Sequence, residues 1–269
     1  MKRIFGVLTL LFVFVIGISR AFAQQDPIPV HETFTIESKN VKEDRVINVW
    51  MPPGYSATTD SFPVLYMPDG GVKEDFPHIA NTLSELIAAQ KIPAVILVGI
   101  ENTQRRRDLS GPTEVKKDKE IAPVVGGSAA FGTFVKDELF PEIAKRYRTT
   151  GKKTIIGESL AGLFVVETFF QHPDMFDGYI AIDPSLWWND HRLVKDVKNY
   201  LSTMPEGKRL WFAGSQAKDI SRYTQQLSGI LETTRVKGLQ WHYSNEPKEQ
   251  HQTIFRAVKE KALIWTLNK

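Results

Sequence analysis

The chain has 269 residues, no cysteine, and 34 basic against 31 acidic side chains. Lys2, Arg3 and Arg20 lie in an N-terminal stretch that reads as a leader, and without them the two signs balance at 31 each. Balanced charge excludes nucleic acid or an anionic membrane surface as a default partner, and with no disulfide available, stability must come from a core that roughly 245 residues can bury.

The leader is "MKRIFGVLTLLFVFVIGISRAFAQ", with two basic residues, an apolar run through Ile18 and the small-x-small sequence Ala21-Phe22-Ala23. This order is that of a signal peptide, 1–23, cleaved after Ala23. The apolar run of about 15 residues is short for a bilayer span. The expected mature protein, 24–269, is therefore one α/β domain that is periplasmic or secreted, with no stable membrane insertion.

"ETFTIES" and "RVINVWMPP" alternate apolar with polar residues, as an antiparallel opening pair does when one face is exposed. "FPVLYMPDGG", "PAVILVGIE", "KKTIIGES", "GYIAID", "KRLWFAGS" and "LQWHYSN" follow as strands. Most are continuous apolar runs, so they are predicted to be buried on both faces. Helical patterns lie between them near 78–90, 129–147, 160–171, 190–203, 220–235 and 253–266. Such alternation predicts a mostly parallel sheet of about eight strands with helices on both faces. The long irregular stretch 102–127 exceeds the usual loop length and is expected to cover a site.

The stretch "TIIGESLAGLFVVETFF" sets a serine between a strand and a helix. A nucleophile elbow needs that context, with small residues around the serine and a helix N-terminus facing the developing oxyanion. Gly157, Ala161 and Gly162 supply the small residues around Ser159. Ser128 also follows an apolar run, but Pro123 argues against a central strand there, so Ser128 reads as the start of a helix.

A serine nucleophile needs a base within hydrogen-bond reach, and in an α/β-hydrolase the chain order is serine, acid, histidine. His31 and His78 are upstream, His172 ends the elbow's helix, His191 follows the sixth strand, and His242 lies within a strand. His251, in the polar loop "NEPKEQHQTIF" after the last strand, is the candidate base. The oxyanion donors are expected to be the amides of Leu160, after the nucleophile, and of Gly71, beyond the third strand.

The blocks "FPVLYMPDGG", "IPAVILVGIENTQRRRDLSGP", "GGSAAFGTFVKDELFPEIAKRYRT", "IIGESLAGL", "FDGYIAIDPSLWWND" and "EQHQTIFRAVKEKALIWTL" together resemble the esterase family of α/β-hydrolases related to esterase D. That family includes S-formylglutathione hydrolases, feruloyl and acetyl-xylan esterases, siderophore esterases and mycolyltransferases. The resemblance implies an α/β-hydrolase fold, Ser159 as nucleophile, His251 as base, and the Leu160 and Gly71 amides as oxyanion hole. The family usually carries Gly-x-Ser-x-Gly-Gly, whereas Ala161 stands here at the first trailing glycine.

The acid is less defined. The family often carries it after the seventh strand, where "FAGSQAKDIS" has Gln216 and Ala217, with Asp219 a little later. Asp219 is the choice, with Asp183 and Glu249 as alternatives and a helix-capping role as the competing reading of Asp219. Trp187 and Trp188 are candidates for an aromatic wall. Arg105, Arg106 and Arg107 are candidates for holding an anionic substrate, with bracing of the loop by Arg107 and Asp108, which the family pattern implies, as the competing role. The expected activity is hydrolysis of a small-molecule or carbohydrate-linked carboxylic ester through an acyl-enzyme, with no metal and no organic cofactor. Acyl transfer to another alcohol and ligand binding without catalysis are the rival readings.

Overall fold

The alternating strand and helix patterns close into one eight-stranded sheet of order β1-β2-β4-β3-β5-β6-β7-β8. The computed structural model describes residues 26–268; the leader expected over 1–23, with cleavage after Ala23, lies outside the described residues. β1 (Glu32–Ser38) and β2 (Glu43–Trp50) form the antiparallel opening pair, with Glu32 opposite Val49. β2 also runs antiparallel to β4 (Ile96–Ile100). β3 (Phe62–Pro68), β5 (Thr149–Glu158), β6 (Gly178–Ile182), β7 (Arg209–Gly214) and β8 (Gln240–Asn245) continue the sheet in parallel.

Nine α-helices occur among the described residues: α1 (Phe76–Ala88), α2 (Arg105–Asp108), α3 (Lys116–Ile121), α4 (Ser128–Phe134), α5 (Phe140–Arg146), α6 (Leu160–Gln171), α7 (Trp188–Leu201), α8 (Lys218–Thr234) and α9 (Ile254–Leu267). A π turn, Val135–Leu139, joins α4 to α5. None is long and apolar enough to cross a membrane. The stretch 102–127, expected to be irregular, carries the short helices α2 and α3; with four and six residues, they are too short to leave a periodic signature.

Side chains alternate across the parallel strands, and both faces of the sheet are covered. Leu65, Ile156, Ile180 and Trp211 pack against α1 and α9 through Phe76, Leu83, Val258 and Leu263. Their neighbours Tyr66, Ile155, Tyr179 and Phe212 face the other way, toward Phe131, Phe164 and Leu227 of α4, α6 and α8. A period of two with apolar residues on both sides produces the continuous runs seen in the sequence.

One buried ion pair ties the long connection to the sheet. Arg45 on β2 and Asp108 at the end of α2 are each 1% exposed, and Arg45 Nη2 donates to Asp108 Oδ2 at 2.5 Å. The Arg45 guanidinium also lies 5.5 Å from the Phe131 ring centroid. Arg45 Nη2 also donates to Glu43 at 2.8 Å, but that carboxylate is partly exposed, so removing Asp108 leaves the buried guanidinium short of its buried counter-charge, which costs about 3 kcal/mol. Asp108→Ala is expected to lower the thermal midpoint by roughly 10 °C. A change of only a degree or two in a melting experiment would mean that the pair does not brace the fold.

Candidate active site

Three central strands end on a non-glycine residue forced into left-handed backbone: Asp69 after β3 (φ 58°), Ser159 after β5 (φ 59°) and Asp183 after β6 (φ 49°). Such conformations are costly and concentrate where function requires them. At Ser159 the turn from β5 into α6 is held by Ser159 N–H donating to Ile182 O at 3.0 Å and by Ser159 O accepting from Leu163 and Ser185 amides. The turn is so tight that a Cβ at Gly157 would lie 2.6 Å from the Ala161 carbonyl. The same geometry explains how Ala161 is tolerated, since its methyl, fully buried, sits beside a residue with none. Gly162 is equally constrained, because a Cβ there would meet Ile182 O at 3.0 Å and Pro184 Cα at 3.1 Å.

The elbow presents Ser159 Oγ to His251, whose Nε2 lies 3.1 Å away. His251 reaches this position from the loop between β8 and α9. With its ring proton on Nδ1 it donates to Asp183 Oδ2 at 2.7 Å. Asp183 has no exposed surface. Its carboxylate is locked by Ser215, whose amide donates to Oδ1 at 2.5 Å and whose hydroxyl donates to Oδ2 at 2.8 Å. The hydrogen bond that His251 donates to Asp183 is the main reason that its imidazole is held above the ordinary value of 6.5. The three residues follow the chain order serine, acid, histidine of this architecture.

The carboxylate beside His251 is thus Asp183 and not Asp219, which corrects the choice made from sequence. Asp219 is exposed in the first turn of α8, behind the N-cap Ala217. It borders the cleft but makes no hydrogen bond to the histidine. Glu249, the other alternative, accepts from the Thr253 hydroxyl at 2.7 Å, within the turn that leads into α9. Ser185 and Ser215 were not singled out from sequence. Ser185 Oγ lies 3.4 Å from Ser159 Oγ, and the only local hint of either residue is a serine placed just beyond a strand end.

The expected oxyanion donors differ. Leu160 heads α6, and among the described residues its amide has no acceptor, as is usual in the first turn of a helix. The Gly71 amide is engaged: it donates to Glu74 Oε2 at 2.7 Å within the turn after β3. This is a correction too, because an amide that satisfies a carboxylate is not free to receive a developing oxyanion. Asn102 Nδ2 fixes Glu74 Oε1 at 2.8 Å and Asp69 Oδ1 at 2.5 Å. Arg105 binds both Asp69 oxygens, at 2.6 and 2.7 Å, and reaches the carbonyl of Glu158 at 3.3 Å. The start of the long connection is in this way fastened to two strand ends.

Ser159 and His251 open into a cleft of about 860 Å³ with Trp187, Ile220 and Tyr223 on its wall and Lys117 and Lys218 among its charged residues. Volumes of this order suit a small-molecule ligand. Trp187 is half-buried and in place for the expected aromatic wall. Trp188 is not: it is 3% exposed and its indole donates to Gly111 O at 3.0 Å, pinning the long connection from behind. Arg107 is not in the cleft either; it pairs with Glu43 and with Asp108 Oδ1, the latter at 2.6 Å, so the bracing role is the one its contacts support. The backbone just after Trp188 is unusual, with Asn189, Asp190 and His191 all near φ 50°. That turn sets Asn189 N–H on buried Asp118 at 2.8 Å.

A mostly parallel sheet of this order, with a strained serine after β5 and a histidine after the last strand, defines an α/β-hydrolase. Residues 38–265 match the family described as "Putative esterase", and the chain belongs to that family of carboxylic-ester hydrolases. Over 207 residues it is 31% identical to the ferri-bacillibactin esterase BesA of Bacillus subtilis, covering 69% of this chain and 68% of the relative. It is 28% identical to a siderophore triacetylfusarinine C esterase of Aspergillus fumigatus, over 66% of this chain and 63% of that one. Among solved structures it is similar to the IroE-like serine hydrolase from Shewanella oneidensis, at 25% identity and a TM-score of 0.79, covering 88% of this chain and 79% of that one.

Proposed function

We propose that this protein hydrolyses siderophore-type carboxylic esters outside the cytoplasm by a Ser159-His251-Asp183 mechanism. The observation that carries the reading is the unbroken run of hydrogen bonds from Ser159 Oγ through both ring nitrogens of His251 to a buried, doubly fixed Asp183. His251 Nε2 takes the Ser159 proton as Oγ attacks the ester carbonyl, and Asp183 holds the resulting imidazolium. The Leu160 amide, at the positive end of α6, faces the oxyanion. Collapse of the tetrahedral intermediate breaks the carbonyl carbon to alcohol oxygen bond. The imidazolium returns its proton to the departing alcohol, leaving the acyl group on Ser159. Water then loses a proton to His251 as it attacks the acyl carbon, the bond from that carbon to Ser159 Oγ breaks, and the imidazolium returns the proton to Oγ as the carboxylic acid leaves.

The substrate class is supported by the relatives, two of which are named for siderophore esters, and by a wide cleft walled by Trp187 and Tyr223 that Lys117 and Lys218 also line. Export is supported by the leader pattern alone. The test is a panel in which enterobactin, triacetylfusarinine C and ferri-bacillibactin are offered beside feruloyl and acetyl-sugar esters, with products read by mass spectrometry. Cleavage of a siderophore ester at a kcat/KM at least tenfold above the feruloyl and sugar esters is the expected result. Preference for either of the latter would move the substrate class.

A further inference from the structure

Glu158 is the residue immediately before the nucleophile, and its side chain turns toward the base. Glu158 Oε1 lies 3.5 Å from His251 Nδ1, the same nitrogen that contacts Asp183. The carboxyl is 17% exposed, and among the described residues no hydrogen-bond donor reaches either of its oxygens. Burial without a donor penalises the ionised form, and here it pushes the Glu158 carboxyl up to about 7. The charged groups around it are Asp75 from the turn before α1, Arg105 from α2, Asp183 from the end of β6, and His251 itself. Arg105, held by both oxygens of Asp69, acts on Glu158 only through space and less strongly than His251. The cation best placed to stabilise an ionised Glu158 is therefore the imidazolium that forms during catalysis.

We propose that Glu158 is a positioning residue of the hydrolytic site, a second carboxylate beside Nδ1 that stabilises the charged form of His251 when it accepts the Ser159 proton. The inference rests on the reading of Ser159 and His251 as nucleophile and base. Asp183 is already committed to three donors: Oδ1 holds the Ser215 amide, and Oδ2 holds both the Ser215 hydroxyl and His251. It aligns the ring, while Glu158, held by its backbone at the elbow, adds charge. Two groups this close that ionise in the same range titrate as a pair, and the fully deprotonated pair is the working form.

The sign follows directly. An anion beside an imidazolium raises the pH at which the ring loses its proton, so taking the anion away lowers it. The rate of inactivation by a fluorophosphonate, measured against pH, reads the free base without knowledge of the natural substrate. In the wild-type protein the acid limb should have its midpoint above 6.5, since His251 is raised from that value. In Glu158→Gln the midpoint should fall by about one pH unit, with a plateau rate roughly three- to tenfold lower and an unchanged or higher melting temperature. Glu158→Asp, which keeps the charge at a greater distance, should fall between the two and serves as the readout if the amide variant folds poorly. A wild-type protein that reacts normally, with a midpoint that stays put in Glu158→Gln, overturns the role of Glu158 alone. No reaction of the wild-type protein at any pH counts against the serine mechanism on which it rests.

Discussion

Ser159→Ala is expected to reduce ester hydrolysis by at least roughly 10⁴-fold while leaving the melting temperature nearly unchanged. The hydroxyl makes no structural hydrogen bond except to His251 and, at 3.4 Å, to Ser185. The elbow is instead held by backbone bonds to Ile182, Leu163 and Ser185 that alanine keeps. The left-handed φ of 59° strains serine and alanine alike, so the substitution adds no new cost. Ser128→Ala is the control. Ser128 starts α4, where its amide bonds Ser110 O, and its loss should leave kcat/KM within about twofold. Residual activity in Ser159→Ala within tenfold of wild type would remove the serine from its assigned role.

Asp183→Asn should be nearly as damaging, cutting turnover by about 10⁴-fold. With its oxygen kept for the Ser215 amide, the Asn side chain puts its NH2 where Oδ2 accepted from both His251 Nδ1–H and the Ser215 hydroxyl, so the acceptor for the ring proton is lost. His251 then loses both its tautomer and the charge that stabilises its protonated form. Asp219→Asn, measured beside it, should stay within about twofold of wild type, because Asp219 is an exposed residue in the first turn of α8, beyond the N-cap Ala217, where a surface substitution costs little. A large loss at Asp219 with none at Asp183 would reverse the assignment.

The reason Asp183 ranked behind Asp219 in the sequence reading is physical. Nothing in "IAIDPSLWW" announces that Asp183 adopts φ 49°, yet that single backbone choice turns the carboxylate toward the loop that brings in His251. The partners that make burial of the charge affordable, Ser215 above all, come from the next strand and are visible only once β6 and β7 are paired in register. The strands themselves were legible because both faces of the sheet are covered and the apolar runs are long. Ser159 was legible because the elbow demands Gly157 and Gly162 in place, and His251 because it alone falls in the loop after the last strand. Gly71 and Arg107 show the converse. Their sequence positions suit an oxyanion donor and an anion clamp, but the occupants of the amide and of the guanidinium, Glu74 and the pair Glu43 and Asp108, depend on contacts between distant segments.

The most direct test of the central claim, that Ser159 is the nucleophile, is to locate the adduct formed with a fluorophosphonate. After trypsin digestion, the peptide 154–192 contains both Ser159 and Ser185, and fragmentation of that peptide in the mass spectrometer separates them. The expected result is one adduct per chain, on Ser159, absent from Ser159→Ala and formed far more slowly in Asp183→Asn. An adduct on Ser185 or Ser128, or undiminished ester hydrolysis in a protein that carries none, would contradict it.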